Sequence, residues 1–240
     1  MKLSNGAYKA KLADMIGSYN DVIKVLTESS NFNDSSLILL LAGSLRNRVT
    51  SIRNSLKEIK NRELKYEEEK KMCHELQKVV SDIKNELEEL ILLESEDVER
   101  TIDDNLLIYT KNGVRAFCIK LKGDLMRYRA EILKDEEKKK CIKKSIEFYE
   151  DALENERKCL DNYPTDPLYL ATVLNYAILK YDLLENPEGA MKFVNRTIQV
   201  AEYSKEEPLC EKSMKLIKIL KENVALWEKG SKGVLTSAFF

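Results

Sequence analysis

The chain has 240 residues, enough for one large domain or two small ones. Its 40 basic and 41 acidic residues leave a formal net charge of −1, which excludes a global pull toward nucleic acid or an anionic membrane surface. Apolar residues make up 43%, above the range of disordered chains, while eight glycines and four prolines are too few for the frequent turns of an all-β protein.

Residues 3–30 predict two short helices. Ala10, Leu12, Ala13 and Ile16 mark the first, Val22, Ile23, Val25 and Leu26 the second, with a break at Gly17 and Asn20. NFNDSS then reads as a turn with Asp34 and Ser35 as helix N-caps. Leu37, Leu41, Leu45, Val49, Ile52, Leu56 and Ile59 follow at spacings of 4, 4, 4, 3, 4 and 3. That stripe predicts a helix of about 30 residues, about 45 Å long. Beyond the charged KNRELKYEEEKK, a second long helix runs through Leu76, Val79, Val80, Ile83, Leu87, Leu90 and Ile91. The polar ESEDVERTIDDN predicts the next loop.

Helices are predicted over about 104–134 and 138–160, with DEEKKK as hinge and cap between them. The two prolines of NYPTDP set a turn, a helix follows over about 166–184, and Pro187 sits at the first turn of the next, where its missing N–H costs nothing. A last helix covers about 206–228. The fold class is therefore all-α, a bundle of about nine antiparallel helices joined by short connections. The alternative is an α-solenoid of tetratricopeptide type, although no 34-residue pattern repeats along the chain.

Function classes narrow quickly. Five cysteines without a CxxC pair, and one histidine, His74, read as reduced thiols rather than a disulfide framework or a metal site. No signal peptide and no run of about 18 apolar residues is present, so the expected setting is cytoplasm or nucleus, with no membrane insertion. No phosphate-binding glycine loop, metalloprotease motif or nucleophile elbow appears. No catalytic residue, metal or cofactor is expected, and the chain is read as a binding protein rather than an enzyme.

The informative residues are cations spaced by seven. Arg46 and Arg53 lie two turns apart on one helix, each one position after a stripe residue. Lys120 and Arg127 repeat the spacing within IKLKGDLMRYR, with Gly123 between them. Glycine in a helix costs about 1 kcal/mol relative to alanine. Its lack of a side chain lets a neighbouring helix or a ligand approach the backbone. Read singly, a pair of cations seven apart is a solvated face, and an interior glycine is a helix-packing contact.

Six stretches in order change that weighting. KAKLADMIGSYND, LLLAGSLRNRVTSIRNSL, KLKGDLMRYRAEI, DEEKKKCIKKSIEFYEDALE, YPTDPLYLATVLNYAILKYDLLENPEGA and LIKILKENVALW resemble successive helices and turns of the 14-3-3 proteins, over nearly all of residues 7–228. The resemblance implies one helical domain over 1–229 with a flexible tail over 230–240, a homodimer, and phosphorylated client proteins as partners, with no nucleic acid. It implies phosphate binding by Arg46, Arg53, Arg127 and Tyr128. It also implies peptide binding by Lys120, Asn175 and Asn223, an apolar wall of Leu174, Ile178, Leu216, Ile219 and Leu226, and supporting roles for Asp182 and Trp227. The implied dimer surface includes Leu12, Ala13, Ile16, Asp21, Lys78 and Asp82.

The chain departs from the family pattern at several of these places. Arg46 stands where the family has lysine, exchanging a point charge for a planar fork. Asp182 replaces a glutamate, Leu56 a tryptophan, and Gly17 and Ser18 an acidic–basic pair. The tail, EKGSKGVLTSAFF, is short and not acidic. Its Thr236 and Ser237 are candidate phosphosites, either of which, once phosphorylated, would let the tail occupy the chain's own groove or that of a neighbouring molecule. A divergent member with such an altered groove is the other alternative.

Overall fold

A computed structural model describes residues 5–29, 34–68, 73–108, 110, 112–204 and 209–230. All regular structure among these residues is helical. The chain packs as two compact units, Met1–Thr110 and Lys111–Phe240.

The first unit holds α1 (Asn5–Met15), α2 (Tyr19–Ser29), α3 (Ser35–Glu68) and α4 (His74–Thr101). Gly17, with φ of +71°, stops α1 in the left-handed conformation that glycine adopts without steric cost. Ser18 N–H reaches back to the Ala13 carbonyl at 2.9 Å, closing the turn. Asp34 caps α3 as expected, its Oδ1 accepting from Ser36 N–H at 2.8 Å. Leu41, Leu45 and Val49 of the α3 stripe are fully buried. α3 packs against α1, α2 and α4. Ion pairs staple α3 to α4, among them Arg48 with Glu94 and Asp97, Lys60 with Glu88 and Lys84 with Glu63.

The α4 region overturns one expectation. ESEDVERTIDDN is helical, carrying α4 to Thr101 and then a π-helical turn over Ile102–Leu106. Its polarity hides three well-buried groups, Ser95, Val98 and Ile102, which with Leu106 just beyond form a helical stripe at spacings of 3 and 4.

The second unit holds α5 (Asn112–Ala130), α6 (Asp135–Cys159), α7 (Pro167–Asp182), α8 (Pro187–Tyr203) and α9 (Glu211–Glu228). DEEKKK is the first turn of α6 and not a hinge before it: three acids at that end favour the helix dipole. Pro167 and Pro187 both sit in first turns, behind the side-chain caps Asp166 and Asn186. α7 is the centre of the unit. It touches α5, α6, α8 and α9, and eleven consecutive residues from Tyr169 to Leu179 are buried. A helix buried on all sides reads as continuous apolar sequence rather than a stripe, which is why TVLNYAIL shows so little periodicity.

Candidate functional site

Lys120, Gly123, Asp124 and Arg127 occupy positions i, i+3, i+4 and i+7 of α5 and so share one face. Asp124 is its hub. Lys120 Nζ donates to Asp124 Oδ2 at 2.8 Å. Oδ1 accepts from Asn175 Nδ2 of α7 at 2.7 Å and from the Tyr149 hydroxyl of α6 at 2.5 Å. Arg127 Nη2 lies 3.7 Å from the same oxygen. Arg127 Nε donates to the Tyr149 oxygen at 3.2 Å, and its Nη1 to Glu131 Oε1 at 3.0 Å. The Lys120, Asp124 and Arg127 side chains are each 1% exposed.

The electrostatics follow from burial set against neighbours. Burial opposes ionisation of Asp124. The charges of Lys120 and Arg127, with bonds from Lys120 and Tyr149, outweigh it and hold the carboxyl below its usual range. Burial and the Asp124 carboxylate push the Tyr149 hydroxyl well above its usual value, so it stays a donor. Burial likewise disfavours the charged form of Arg127, but the oxygens around it hold it cationic. The buried core of the cluster therefore carries two cations against one anion, with Glu131 at its edge.

Two polar groups in this cluster have capacity to spare. Arg127 Nη2 is buried and makes no hydrogen bond, and Asn175 Oδ1 accepts none. A buried unsatisfied group costs roughly 1–3 kcal/mol, so the guanidinium N–H can still donate to an anionic acceptor and the amide oxygen can still accept an N–H. Tyr128 is buried, with the Arg127 guanidinium 4.8 Å from its ring centre.

Gly123 answers to a helix, not to a ligand. A β-carbon there would lie 3.0 Å from the Tyr149 ring. The Ser145 hydroxyl donates to the Gly123 carbonyl at 2.8 Å, fastening α6 at the same point. The glycine lets α6 approach closely enough for Tyr149 to reach Asp124 and Arg127.

The remaining predicted residues divide by helix. On α7 and α9, Leu174, Ile178, Leu216 and Trp227 belong to the core of the second unit, while Ile219 and Leu226 are half-buried. Asn223 is buried and donates to the Ile219 carbonyl at 3.0 Å. Trp227 stacks on Tyr181 with ring centres 4.8 Å apart, and its Nε1 has no partner. Asp182 is exposed at the end of α7.

On α3, Arg46 is half-buried and donates to Asn47 Oδ1, whereas Arg53 is buried. Leu12, Ile16, Asp21, Lys78 and Asp82 are exposed and Ala13 is half-buried. Thr236 and Ser237 lie outside the described residues. The sequence reading missed Asp124, Glu131 and Tyr149. Asp124 and Glu131 were within reach of it, each a helical step of 3 or 4 residues from Lys120 or Arg127. Tyr149 left no such sign, because only the α5–α6 packing brings it in.

A second buried carboxyl lies between α6 and α7. Glu156 is fully buried and the Thr172 hydroxyl sits 2.6 Å from its Oε1, while Oε2 has no partner. Burial raises its pKa to about 8, against the lowering effect of the Thr172 bond. The Thr172 hydroxyl has one proton and a second acceptor, the Leu168 carbonyl, at 3.0 Å. A protonated Glu156 removes the conflict by donating to the hydroxyl. Among the described residues, no group of three or more metal-binding side chains is gathered, and no helix is long and apolar enough to cross a membrane.

The comparisons with known proteins match this arrangement to one family. The 14-3-3 protein family model covers residues 9–228. The chain belongs to the 14-3-3 family. It is similar to mouse 14-3-3 protein beta/alpha, 28% identical over 97% of this chain and 95% of the mouse protein. Rainbow trout (Oncorhynchus mykiss) 14-3-3 protein beta/alpha-1 is also 28% identical, over 94% of this chain and 93% of its own length. A crystal structure of a 14-3-3 protein from Cryptosporidium parvum is 68% identical, with a TM-score of 0.85. It covers 92% of this chain and 100% of its own. The all-α 14-3-3 fold expected from the sequence is therefore the fold of this protein, and the tetratricopeptide solenoid is set aside.

Proposed function

We propose that this 14-3-3 protein is an adaptor that binds phosphoserine- or phosphothreonine-containing segments of client proteins, in the cytoplasm or nucleus. The observation that carries the reading is the unspent Nη2 of Arg127 in a buried cluster with an excess of cations. A phosphate brings close to two negative charges and three strong acceptors. Arg127 and the Tyr128 hydroxyl bind it together with Arg46 and Arg53 of α3. Asp124, Glu131 and Tyr149 hold Arg127 in place, so little side-chain entropy is lost on binding. Lys120, Asn175 and Asn223 hold the extended peptide backbone. Leu174, Ile178, Leu216, Ile219 and Leu226 supply apolar contact, with Asp182 and Trp227 supporting.

The same proposal includes a homodimer through the first unit. α1 exposes Leu12, Met15 and Ile16, and α4 exposes Leu76, Val79 and Ile83, an apolar load that a lone copy leaves in water. Sedimentation showing only monomer at micromolar concentration would remove this part.

The central test compares a fluorescent phosphoserine peptide with its unphosphorylated twin, on the full chain and on a chain ending at Gly230. Phosphate-dependent binding is expected, with at least a tenfold loss in Arg127→Ala and a further loss when Arg53→Ala is added. Equal affinity for both peptides in both chains would refute the adaptor reading. A double-mutant cycle between Arg53 and Arg127 shows whether the two act on one phosphate, since independent sites give additive losses.

A further inference from the structure

The outward face of α9 carries a second feature that peptide binding does not use. Leu209, Met214, Ile217, Lys218, Lys221 and Glu222 line an open groove with a volume of about 360 Å³. That is the size of a small-ligand or side-chain pocket. Met214 and Asn223 are nine residues apart, about half a turn out of phase at 100° per residue. The groove therefore faces away from the Ile219–Asn223–Leu226 side.

Its floor is apolar, with Met214 52% exposed, while its rim charges are already matched. Lys221 bonds Glu202 of α8 at 2.6 Å, and Lys218 faces Glu222 at 3.9 Å. A groove with an apolar floor and a neutralised rim fits an uncharged apolar segment better than a charged ligand. The next α9 position on this face, Ala225, is exposed and small.

The chain itself supplies such a segment. Beyond Gly230 come ten residues, SKGVLTSAFF, with Lys232 the one charged side chain and Val234, Leu235, Phe239 and Phe240 apolar. Gly230 ends α9 with φ of +67°, its N–H bonded to the Trp227 carbonyl at 3.0 Å. A left-handed glycine at this place turns the chain off the helix axis. From Gly230 back to Lys221 is about 13 Å along the helix, and to Met214 about 24 Å. Ten extended residues span about 33 Å, enough to reach the whole groove. Tethering also gives the segment an effective concentration near millimolar, so modest apolar burial suffices to hold it.

We propose that residues 231–240 fold back along the outward face of α9 and seat Phe239 and Phe240 in the groove lined by Leu209, Met214 and Ile217. This docking is independent of phosphate and leaves the Asn223 side of α9 clear. It stands or falls separately from the peptide-binding proposal.

The test places a photoreactive group at the tail of the full-length protein, as Phe239→p-benzoylphenylalanine, with irradiation and mass mapping. The protein is first confirmed by mass to be unmodified at Thr236 and Ser237. Equal amounts of isotopically heavy and light protein separate adducts within a chain from those between chains. The expected result is an intrachain adduct on the groove residues Leu209, Met214, Ile217, Lys218, Lys221 or Glu222, centred on Met214, and at least a fivefold loss of it in Met214→Asp with unchanged helical circular dichroism. Leu209→Asp gives the same loss by a second route. Adducts on Ile219, Asn223 or α5, adducts only between heavy and light chains, or no adduct would each overturn the proposal. The first of these would place the tail in the peptide groove instead.

Discussion

Gly43 of α3 and Gly123 of α5 are both glycines inside long helices, and by sequence they look alike. A β-carbon at Gly43 would meet nothing within 4 Å, whereas one at Gly123 would press on the Tyr149 ring. The difference extends to the charges around them. Near Gly43, Arg48 spans to Glu94 and the largely exposed Asp97 of α4. Beside Gly123, Lys120, Asp124 and Arg127 are almost wholly out of water. The Arg48 pairs on α3 keep one foot in water, with side-chain exposures of 20% for Arg48 and 57% for Asp97. Charges on α5 are held by each other and by the side chains of α6 and α7, so each depends on the rest.

Removing the hub should expose the contrast most sharply. Asp124→Ala leaves two buried cations without their carboxylate and is expected to cost about 3–5 kcal/mol in chemical denaturation. Asp97→Ala, on the exposed partner of Arg48, is expected to cost no more than about 1 kcal/mol. Comparable losses would refute the distinction.

Glu156 tests the polar interior of the second unit through pH. Its folded pKa of about 8 lies above the ordinary glutamate value of 4.5. Its contribution is fully present below pH 4.5 and is lost as pH rises toward 8, at up to about 1.4 kcal/mol per pH unit. Glu156→Gln should flatten that slope, so the variant gains on the parent from pH 5 to 8.5 in thermal melts. Parallel profiles would show that the carboxyl is ionised in the folded state throughout.

Gly123→Ala should destabilise by about 1–3 kcal/mol through overpacking. Tyr149 is fixed by its bonds to Asp124 and Arg127 and has no room to yield. Gly43→Ala should act in the opposite direction, stabilising by up to about 1 kcal/mol from helix propensity alone. Denaturant midpoints of the two variants measured side by side decide this, and shifts of the same sign would contradict the packing account.

Much of this was legible in advance. The α3 stripe from Leu37 to Leu56, the stop at Gly17, and the prolines at 167 and 187 all follow from local rules that act within a few residues. The same rules misjudged 94–105, where a polar surface outweighed a sparse buried stripe, and DEEKKK, whose acids belong at a helix start. Arg127 and Lys120 were singled out as cations facing a groove, and not as members of a buried cluster around a carboxylate. Their carboxylate at Asp124 is a helix turn away in sequence and their tyrosine at 149 is not.

Hydrophobic spacing and caps thus determined most of the helices and their order, because each depends on contacts along a single helix, and the family was legible as a resemblance of six motifs in order. Tertiary structure alone decided what Gly123 is for, how Arg127 is held, and that Glu156 holds its proton above the usual carboxylate range. Those outcomes depend on side chains meeting from helices 16 to 51 residues apart, such as Thr172 with Glu156 and Asn175 with Asp124. They depend also on the loss of water around them, which turns a weak surface charge into a tightly coupled one.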